Sequence, residues 1–306
     1  MATVIITGGT GLVGSALSRL LVSQGFQVII LSRNPTSYRS TIPAVTYASW
    51  NIEDQTADEQ AFRKASHIIH LAGASVADKP WTDKRKKEIE ESRTKSSALL
   101  VKMLGSVPNA VVSVVSASAI GWYKENSAVP AVENDPPDTG FLGETCRLWE
   151  DSILPVSSMG KRLVILRTGI VLSNEGGAFP AFAKPAKYGI AAILGNGKQT
   201  ISWIHIDDLC RLYIDAMQNI HWAGVYNAVA PNPVTNRTFT LHLAKKMKGK
   251  FFIPMPVPSF VLRLMLGGRS EEILKSSNIS AQKLKLAGFQ FIYPTLDAAL
   301  RQLVPR

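Results

Sequence analysis

Cysteine is almost missing: two in 306 residues, Cys146 and Cys210, far apart and in no Cys-x-x-Cys spacing. That scarcity excludes a disulfide framework and a thiolate-held structural metal, and it suits a reducing compartment. No apolar stretch approaches the roughly 20 residues a membrane helix needs. No basic region leads an apolar one at the amino end, where Thr3-Val4-Ile5-Ile6-Thr7 already reads as a strand, so a secretory signal is not expected. A soluble, cytoplasmic chain with no membrane partner is the expectation. Acidic residues are also in short supply, 23 Asp and Glu against 34 Lys and Arg, leaving a formal +11. Such an excess suits nucleic acid, an anionic membrane surface or a polyanionic small ligand. The densest run, Lys84-Arg85-Lys86-Lys87, is followed at once by Glu88, Glu90 and Glu91. Mixed signs at helical spacing read as a solvated helix face. There is no zinc-finger spacing and no basic-region heptad, so nucleic acid is not expected as a partner.

What is present is the composition of a packed protein, 46% hydrophobic and 19% charged, which argues against disorder. The length fits one large α/β domain or two unequal lobes. In the first half, short β-branched runs alternate with amphipathic stretches. Strands are predicted at 4–7, 28–32, 45–50, 68–72, 110–115 and 163–166, and helices at 11–24, 84–104 and 141–154. Strands that are apolar on both faces and separated by helices mean a parallel sheet covered on both sides. Right-handed crossovers then give a doubly wound sheet. After Leu172 the pattern loosens into glycines and prolines. The expected division is a dinucleotide-binding domain over 1–172 with a return segment near 200–230, and a smaller interleaved lobe over 173–199 and 231–306.

The segment Thr7-Gly8-Gly9-Thr10-Gly11-Leu12-Val13-Gly14 follows a strand and opens a helix. Gly8 can take backbone angles closed to other residues at a tight turn, Gly11 lets a pyrophosphate approach the main chain, and Gly14 lets helix and strand pack closely. The helix then aims free N–H groups and its positive dipole end at the phosphates. This is the context that makes a glycine triplet a dinucleotide site. Gly8, Thr10, Gly11, Leu12, Val13 and Gly14 are therefore expected at the cofactor. The end of the second strand chooses between cofactors. A carboxylate there binds the ribose 2′-hydroxyl of NAD(H), but the chain has Leu31-Ser32-Arg33-Asn34. Arg33 offers a fork of donors to a 2′-phosphate and Ser32 one more, so NADP(H) is the expected cofactor.

With these residues in view the chain resembles an extended short-chain dehydrogenase/reductase, a Rossmann-type fold with a smaller substrate lobe. Within that group it is most similar to the atypical "epimerase family". His70-Leu71-Ala72-Gly73-Ala74 resembles the superfamily's Asn/His-x-Ala-Gly segment, which implies that Leu71, Ala72 and Gly73 lie beside the nicotinamide ribose. Ser92-Arg93, the run Ser116 to Tyr123, Phe141 through Glu150, Arg167 to Leu172 and Ser202 to Asp208 carry the family likeness. It also implies a small C-terminal domain from about Phe251 onward.

The likeness breaks at the acid/base pair. Ser118 matches the superfamily's catalytic serine, but aligning Glu150 to that helix places Leu142 at the tyrosine and Cys146 at the lysine. Leucine transfers no proton, and a neutral thiol does not replace an ammonium. Tyr123 is a substitute proton donor or a packing residue, and Glu144 a weaker one. Ser116 and Ser118, at the carboxyl edge of a parallel strand, are placed where ligands bind in such sheets. Arg167 ends the next strand, facing an anion or satisfied by the protein. Asp207 is expected to cap a helix with His205 packed at its entrance, and the Gly195–Gln199 turn to border the substrate space. No metal site is expected. Two functions stay open: an NADP(H)-dependent oxidoreductase or epimerase acting on a small substrate, nucleotide-linked compounds among the candidates, and an NADP(H) sensor without turnover. The state of assembly also stays open, a homodimer included.

Overall fold

The computed structural model describes residues 1–38, 40 and 42–304. Arg39, Thr41 and the last two residues, which fall inside the ranges expected for the two lobes, lie outside the described residues. The first half runs β1 (Thr3–Thr7), α1 (Leu12–Ser23), β2 (Gln27–Ser32), β3 (Val45–Asn51), β4 (Thr56–Ala57), α2 (Glu59–Lys64), β5 (His67–His70), α3 (Asp83–Ser106), β6 (Ser113–Ala119), β7 (Asn126–Ala131), α4 (Phe141–Ile153), α5 (Pro155–Ser158) and β8 (Arg162–Thr168). The second half runs β9 (Ile170–Ser173), β10 (Gly176–Gly177), α6 (Phe179–Lys187), β11 (Ile190–Leu194), β12 (Thr200–Ile201), β13 (Trp203–His205), α7 (Ile206–Gln218), β14 (Gly224–Ala228), β15 (Val234–Thr235), α8 (Asn236–Lys248), β16 (Ile253–Val257), α9 (Ser259–Leu266), α10 (Arg269–Leu274), β17 (Ser277–Ile279), α11 (Gln282–Leu286) and α12 (Leu296–Leu303).

Eight strands form one sheet in the order β14-β8-β6-β5-β1-β2-β3-β4, parallel except where β4 turns back on β3. The winding reverses between β1 and β5, so the carboxyl ends of these two strands open a crevice. Strand alternation fills both faces. From β1, Val4 and Ile6 join Leu17 and Leu21 of α1 and Leu209 and Tyr213 of α7. Ile5 goes to the opposite face with Phe62 of α2 and Leu99 and Leu100 of α3. All three β1 side chains are fully buried, each worth about 1.5–3 kcal/mol of apolar transfer. That double burial fixes the height at which the β1 turn emerges.

The second lobe has its own core, with Trp203, Phe239, Leu243 and Leu300 fully or almost fully buried. The two lobes interleave further than the sequence pattern suggested. After visiting the small lobe the chain returns: Leu284 and Phe289 join the cluster of α1 and α7, and β17 pairs with β7. Leu284 and Phe289 thus pack with the sheet's helices rather than in the core of the second lobe.

Two elements differ from expectation. β6 begins and ends later than the predicted strand at 110–115, because its register with β8 continues through Ser116↔Ile165 and Ser118↔Arg167 to Ala119↔Thr168. The serines are thus inside the strand rather than beyond it. At α7 the cap is His205, whose Nδ1 accepts the Asp207 N–H at 3.2 Å, and not Asp207. The adjoining Asp208 carboxylate is occupied by the Ile292 and Tyr293 amides, both at 2.8 Å.

Candidate functional site

Gly8 takes φ +67°, and a Cβ there would stand 2.8 Å from the Leu71 carbonyl oxygen. A Cβ on Gly14 would stand 2.5 Å from the Gly9 Cα. Only glycine permits either approach, and together they pull the start of α1 under the turn. The Gly11 N–H closes the turn onto the Gly8 carbonyl at 3.0 Å. Gly11 is the N-cap of α1, with no capping side chain and no acid in the first turn. The first-turn amides, those of Leu12 and Val13 included, therefore lack a side-chain acceptor. An anion is the group they fit.

The floor opposite the turn is held by a buried polar joint. Thr7 Oγ1 accepts the N–H groups of Leu71 and Ala72 at 3.1 and 3.2 Å, so its own proton goes to His70 Nδ1 at 2.8 Å. His70 Nε2 then carries the hydrogen that reaches Ser97 Oγ, 3.2 Å away. Burial holds the His70 pKa down to about 4, so the ring is neutral. This joint fixes β1 against β5 and sets the edge of the crevice.

A cleft of about 590 Å³ opens there, lined by Gly8, Thr10, Gly11, Ser32, Arg33, Leu71, Ala72 and Gly73 among others. Of the expected cofactor residues, these eight come together. Leu12 and Val13 pack their side chains into the core behind, and Gly14 is buried beneath the turn. Ser32 Oγ accepts the Asn34 N–H at 3.2 Å. Arg33 is exposed and has no ion pair among the described residues. The cleft's carboxylates are otherwise engaged. Glu88 pairs with Arg85, Glu91 with Lys95 and Lys87, Glu53 with Lys95, and Asp78 accepts the Ser75 hydroxyl.

Sequence reasoning missed Arg85 and Ser96 of α3, and Tyr38 and Trp50, all of which line the cleft. Arg85, Ser92 and Ser96 are seven and four residues apart, one helical face, and that spacing was the available signal. Arg85 was read as part of a solvated run, yet it is 7% exposed with its Nε unpartnered. Arg93, one step round the helix, donates to the carbonyls of Ala74 and Ile89 and lies over the Trp149 ring at 4.8 Å. It packs so close to residue 73 that a Cβ there would meet the guanidinium carbon at 3.2 Å.

Besides Leu12, Val13 and Gly14, four expected site residues do not line this cleft: Ser116, Ser118, Tyr123 and Arg167. Arg167 forms two bonds of 2.8 Å with the Glu150 carboxylate and donates to the Tyr123 hydroxyl and the Glu133 carbonyl, both at 3.0 Å. Its guanidinium lies 3.6 Å from the Trp122 ring centroid. Ser118 Oγ donates to Glu150 at 2.6 Å, and the Tyr123 hydroxyl donates to Asn227 Oδ1 at 2.6 Å. Ser116 is fully buried and bonds the neighbouring Ala117 carbonyl. The cause is the length of β6, which carries these serines inward beside β8. Burial pushes the Tyr123 phenol up to about 12, so it is protonated at neutral pH and already committed. In this structure the protein's own acceptors meet the Arg167 guanidinium.

At the positions aligned with the superfamily's tyrosine and lysine, Leu142 and Cys146 lie against Gly121. Burial pushes the Cys146 thiol up to about 12, with the Arg93 charge the strongest opposing influence. Glu144 is tied to Arg147 at the surface of α4. The Gly195–Gln199 turn, expected at the substrate space, is not part of the lining of this cofactor cleft. Gln199 reaches back to the Leu194 carbonyl, and Gly197 packs on Ile193 and Arg237. Among the described residues no group of His, Cys, Asp and Glu is placed to hold a metal, and no helix is long and apolar enough to cross a membrane.

A family model described as NAD dependent epimerase/dehydratase family matches residues 4–228, the span of the sheet and its crevice. The chain belongs to that family. A second model, a domain of unknown function (DUF1731), matches 257–303. Among curated relatives of the family, the chain is 33% identical over 302 residues to "Epimerase family protein YfhF" of Bacillus subtilis, covering 98% of this chain and 97% of that one. Among solved structures it is similar to human epimerase family protein SDR39U1 with NADPH, with a TM-score of 0.87, 27% identity and 99% of each chain covered. It is also similar to the nucleoside-diphosphate sugar epimerase from Corynebacterium glutamicum, with a TM-score of 0.79, 30% identity, and 99% of this chain and 58% of that one covered.

Proposed function

We propose that this chain binds NADP(H) and acts with it as an oxidoreductase or epimerase on a small substrate, with nucleotide-linked compounds among the candidates. The observation that carries the cofactor is the pairing of an uncapped glycine turn with Arg33, a guanidinium without an ion pair among the described residues, at the end of β2 where an NAD(H) site has a carboxylate. The amides of the Gly8–Gly14 turn hold the diphosphate, Arg33 and Ser32 hold the 2′-phosphate, and Leu71, Ala72 and Gly73 back the nicotinamide ribose. The family relative with NADPH supports the same choice. When bound, the dinucleotide supplies or accepts hydride.

The chain's own part is to bind, orient and exclude water. The tyrosine–lysine proton relay is not available to it, since Leu142 and Cys146 hold those places and the Tyr123 phenol is engaged with Asn227 and Arg167. That same observation favours a second reading, an NADP(H) sensor without turnover. Titrating NADPH and NADH into the purified protein tests the cofactor. NADPH is expected to bind at least about tenfold tighter, about 1.4 kcal/mol, and Arg33→Ala to remove most of the difference. Equal affinities would overturn the reading. Incubation of the NADPH complex with panels of carbonyl compounds and sugar nucleotides separates the two functions, because a sensor turns over none of them.

A further inference from the structure

The positive charge of this chain has an address. Residues 1–175 carry 18 Lys and Arg against 17 Asp and Glu, whereas residues 176–306 carry 16 against 6. No Asp or Glu occurs in 176–206 or in 216–270, and those two segments hold ten of the Lys and Arg.

The fold gathers six of the ten at one end of the second lobe. Lys184 and Lys187 stand in the last turn of α6, Lys245, Lys246 and Lys248 in the last turn of α8, and Lys250 just beyond. The two helices pack through Phe182 and Phe239, whose ring centroids are 4.9 Å apart. Their carboxyl ends meet at the start of the β11–β16 pair. There the Ile253 N–H donates to the Gly189 carbonyl at 2.8 Å and the Phe251 N–H to the Lys248 carbonyl at 3.1 Å. Helix dipoles favour a cation in each last turn, but that leaves most of a six-lysine cluster unexplained. None of the six has an ion pair or side-chain hydrogen bond among the described residues.

Among these lysines stand apolar side chains that the fold leaves in water. Tyr188 is 78% exposed, Phe251 87%, Ile253 72% and Met255 45%. Pro254 and Pro256 remove amide donors from β16, so the strand is a poor template for another strand. A second copy of the chain would set like charges against each other. Tyr188 and Phe251 offer rings to stacked bases, whereas Ile253 and Met255 offer none, so nucleic acid would leave those two unmatched. Exposed apolar side chains close in the chain to lysines without an ion pair among the described residues match an anionic bilayer interface.

We propose that this end of the second lobe rests on an anionic lipid surface, the lysines at the headgroups and Tyr188, Phe251 and Ile253 entering the acyl boundary. This replaces, for one surface, the sequence-based expectation of no membrane partner, and it calls for adsorption rather than a span. The patch shares no residue with the cofactor cleft, so it stands or falls apart from NADP(H) binding.

Co-sedimentation of the full chain with phosphatidylcholine vesicles, with and without 30% phosphatidylglycerol, tests it. Binding to the anionic vesicles alone, weakened by added salt, is expected. The quadruple charge reversal Lys245→Glu, Lys246→Glu, Lys248→Glu and Lys250→Glu is expected to lower partitioning by roughly a hundredfold or more. Phe251→Ser should lower it by roughly tenfold through lost apolar insertion. NADPH affinity in both variants should match the parent, which also shows that they fold. No binding to anionic vesicles, equal binding to neutral ones, or a Phe251→Ser variant that partitions like the parent would each overturn the proposal. A soluble acidic protein as the true partner would give the first of these results.

Discussion

The crevice above β1 and the buried network beside β8 are both rich in polar groups, but they keep opposite accounts of their hydrogen bonds. At the crevice, amides of the α1 first turn and the Arg33 guanidinium have no side-chain acceptor among the described residues. In the network, Arg167 is matched to the Glu150 carboxylate, to Tyr123 and to Glu133, and the serine and phenol are matched in turn. A polar group that the fold leaves unmatched at a cleft is available to a ligand, and one that the fold has already satisfied holds elements together. In this chain, the match between donors and acceptors separates an open cleft from a closed network better than residue type does.

Unbalancing the network should have the largest effect. Arg167→Met leaves the Glu150 carboxylate buried, 5% exposed, with only the Ser118 hydroxyl in support. Losing one partner of a buried ion pair costs about 3–5 kcal/mol, which urea unfolding would register as a lower midpoint at similar slope. NADPH affinity of the folded fraction should hold. A variant as stable as the parent that no longer binds NADPH would mean that Arg167 belongs to the cofactor site after all.

Acid probes the joint under the crevice. The folded-state pKa of His70 is about 4 against an ordinary 6.5. The unfolded chain therefore binds the proton first as pH falls, and the neutral ring's contribution is complete above pH 6.5. It is lost progressively down to about pH 4, at most about 3 kcal/mol. His67 and His205 are lowered as well and add slope of the same sign. The specific expectation is that His70→Asn, which keeps an acceptor toward Thr7, unfolds with a shallower pH dependence than the parent between pH 6.5 and 4. Identical slopes would show that the ring is already charged, or reached by water, in the folded state.

Much of this was legible in the chain, and the rest was hidden for identifiable reasons. The glycine turn announces itself because Gly8 and Gly14 are demanded by contacts within a few residues, plus one carbonyl across the sheet. Both faces of β1 are apolar, so the parallel sheet follows from composition alone. The end of β6 was misplaced because Ser116-Ala117-Ser118-Ala119 has no β-branched signature, and only its register with β8 extends it. Ser118 and Arg167 drew attention as polar residues at strand ends. Their partner, Glu150, is 32 and 17 residues away in the sequence, a pairing no local pattern displays. At α7, His205 and Asp207 are both chemically able to cap, and only geometry chose between them. The charge asymmetry was countable from the start, but a total of +11 conceals where in space the lysines meet.

Removing a single hydroxyl from the network separates the two roles with little loss of stability. Ser118→Ala removes a 2.6 Å bond to Glu150 while leaving both Arg167 bonds to that carboxylate in place. The loss should be about 1 kcal/mol of stability, with NADPH affinity unchanged. Any turnover found in the panels above should persist within about twofold, under half a kcal/mol. A superfamily serine acting on substrate would show the reverse, intact stability with turnover gone. The distinction rests on where the hydroxyl points. Donating to Glu150, 3% exposed and absent from the cleft wall, Ser118 spends its one proton on the carboxylate that also holds Arg167. With Arg167 and Glu150 it forms one matched set of donors and acceptors, whereas Arg33 has no ion pair among the described residues.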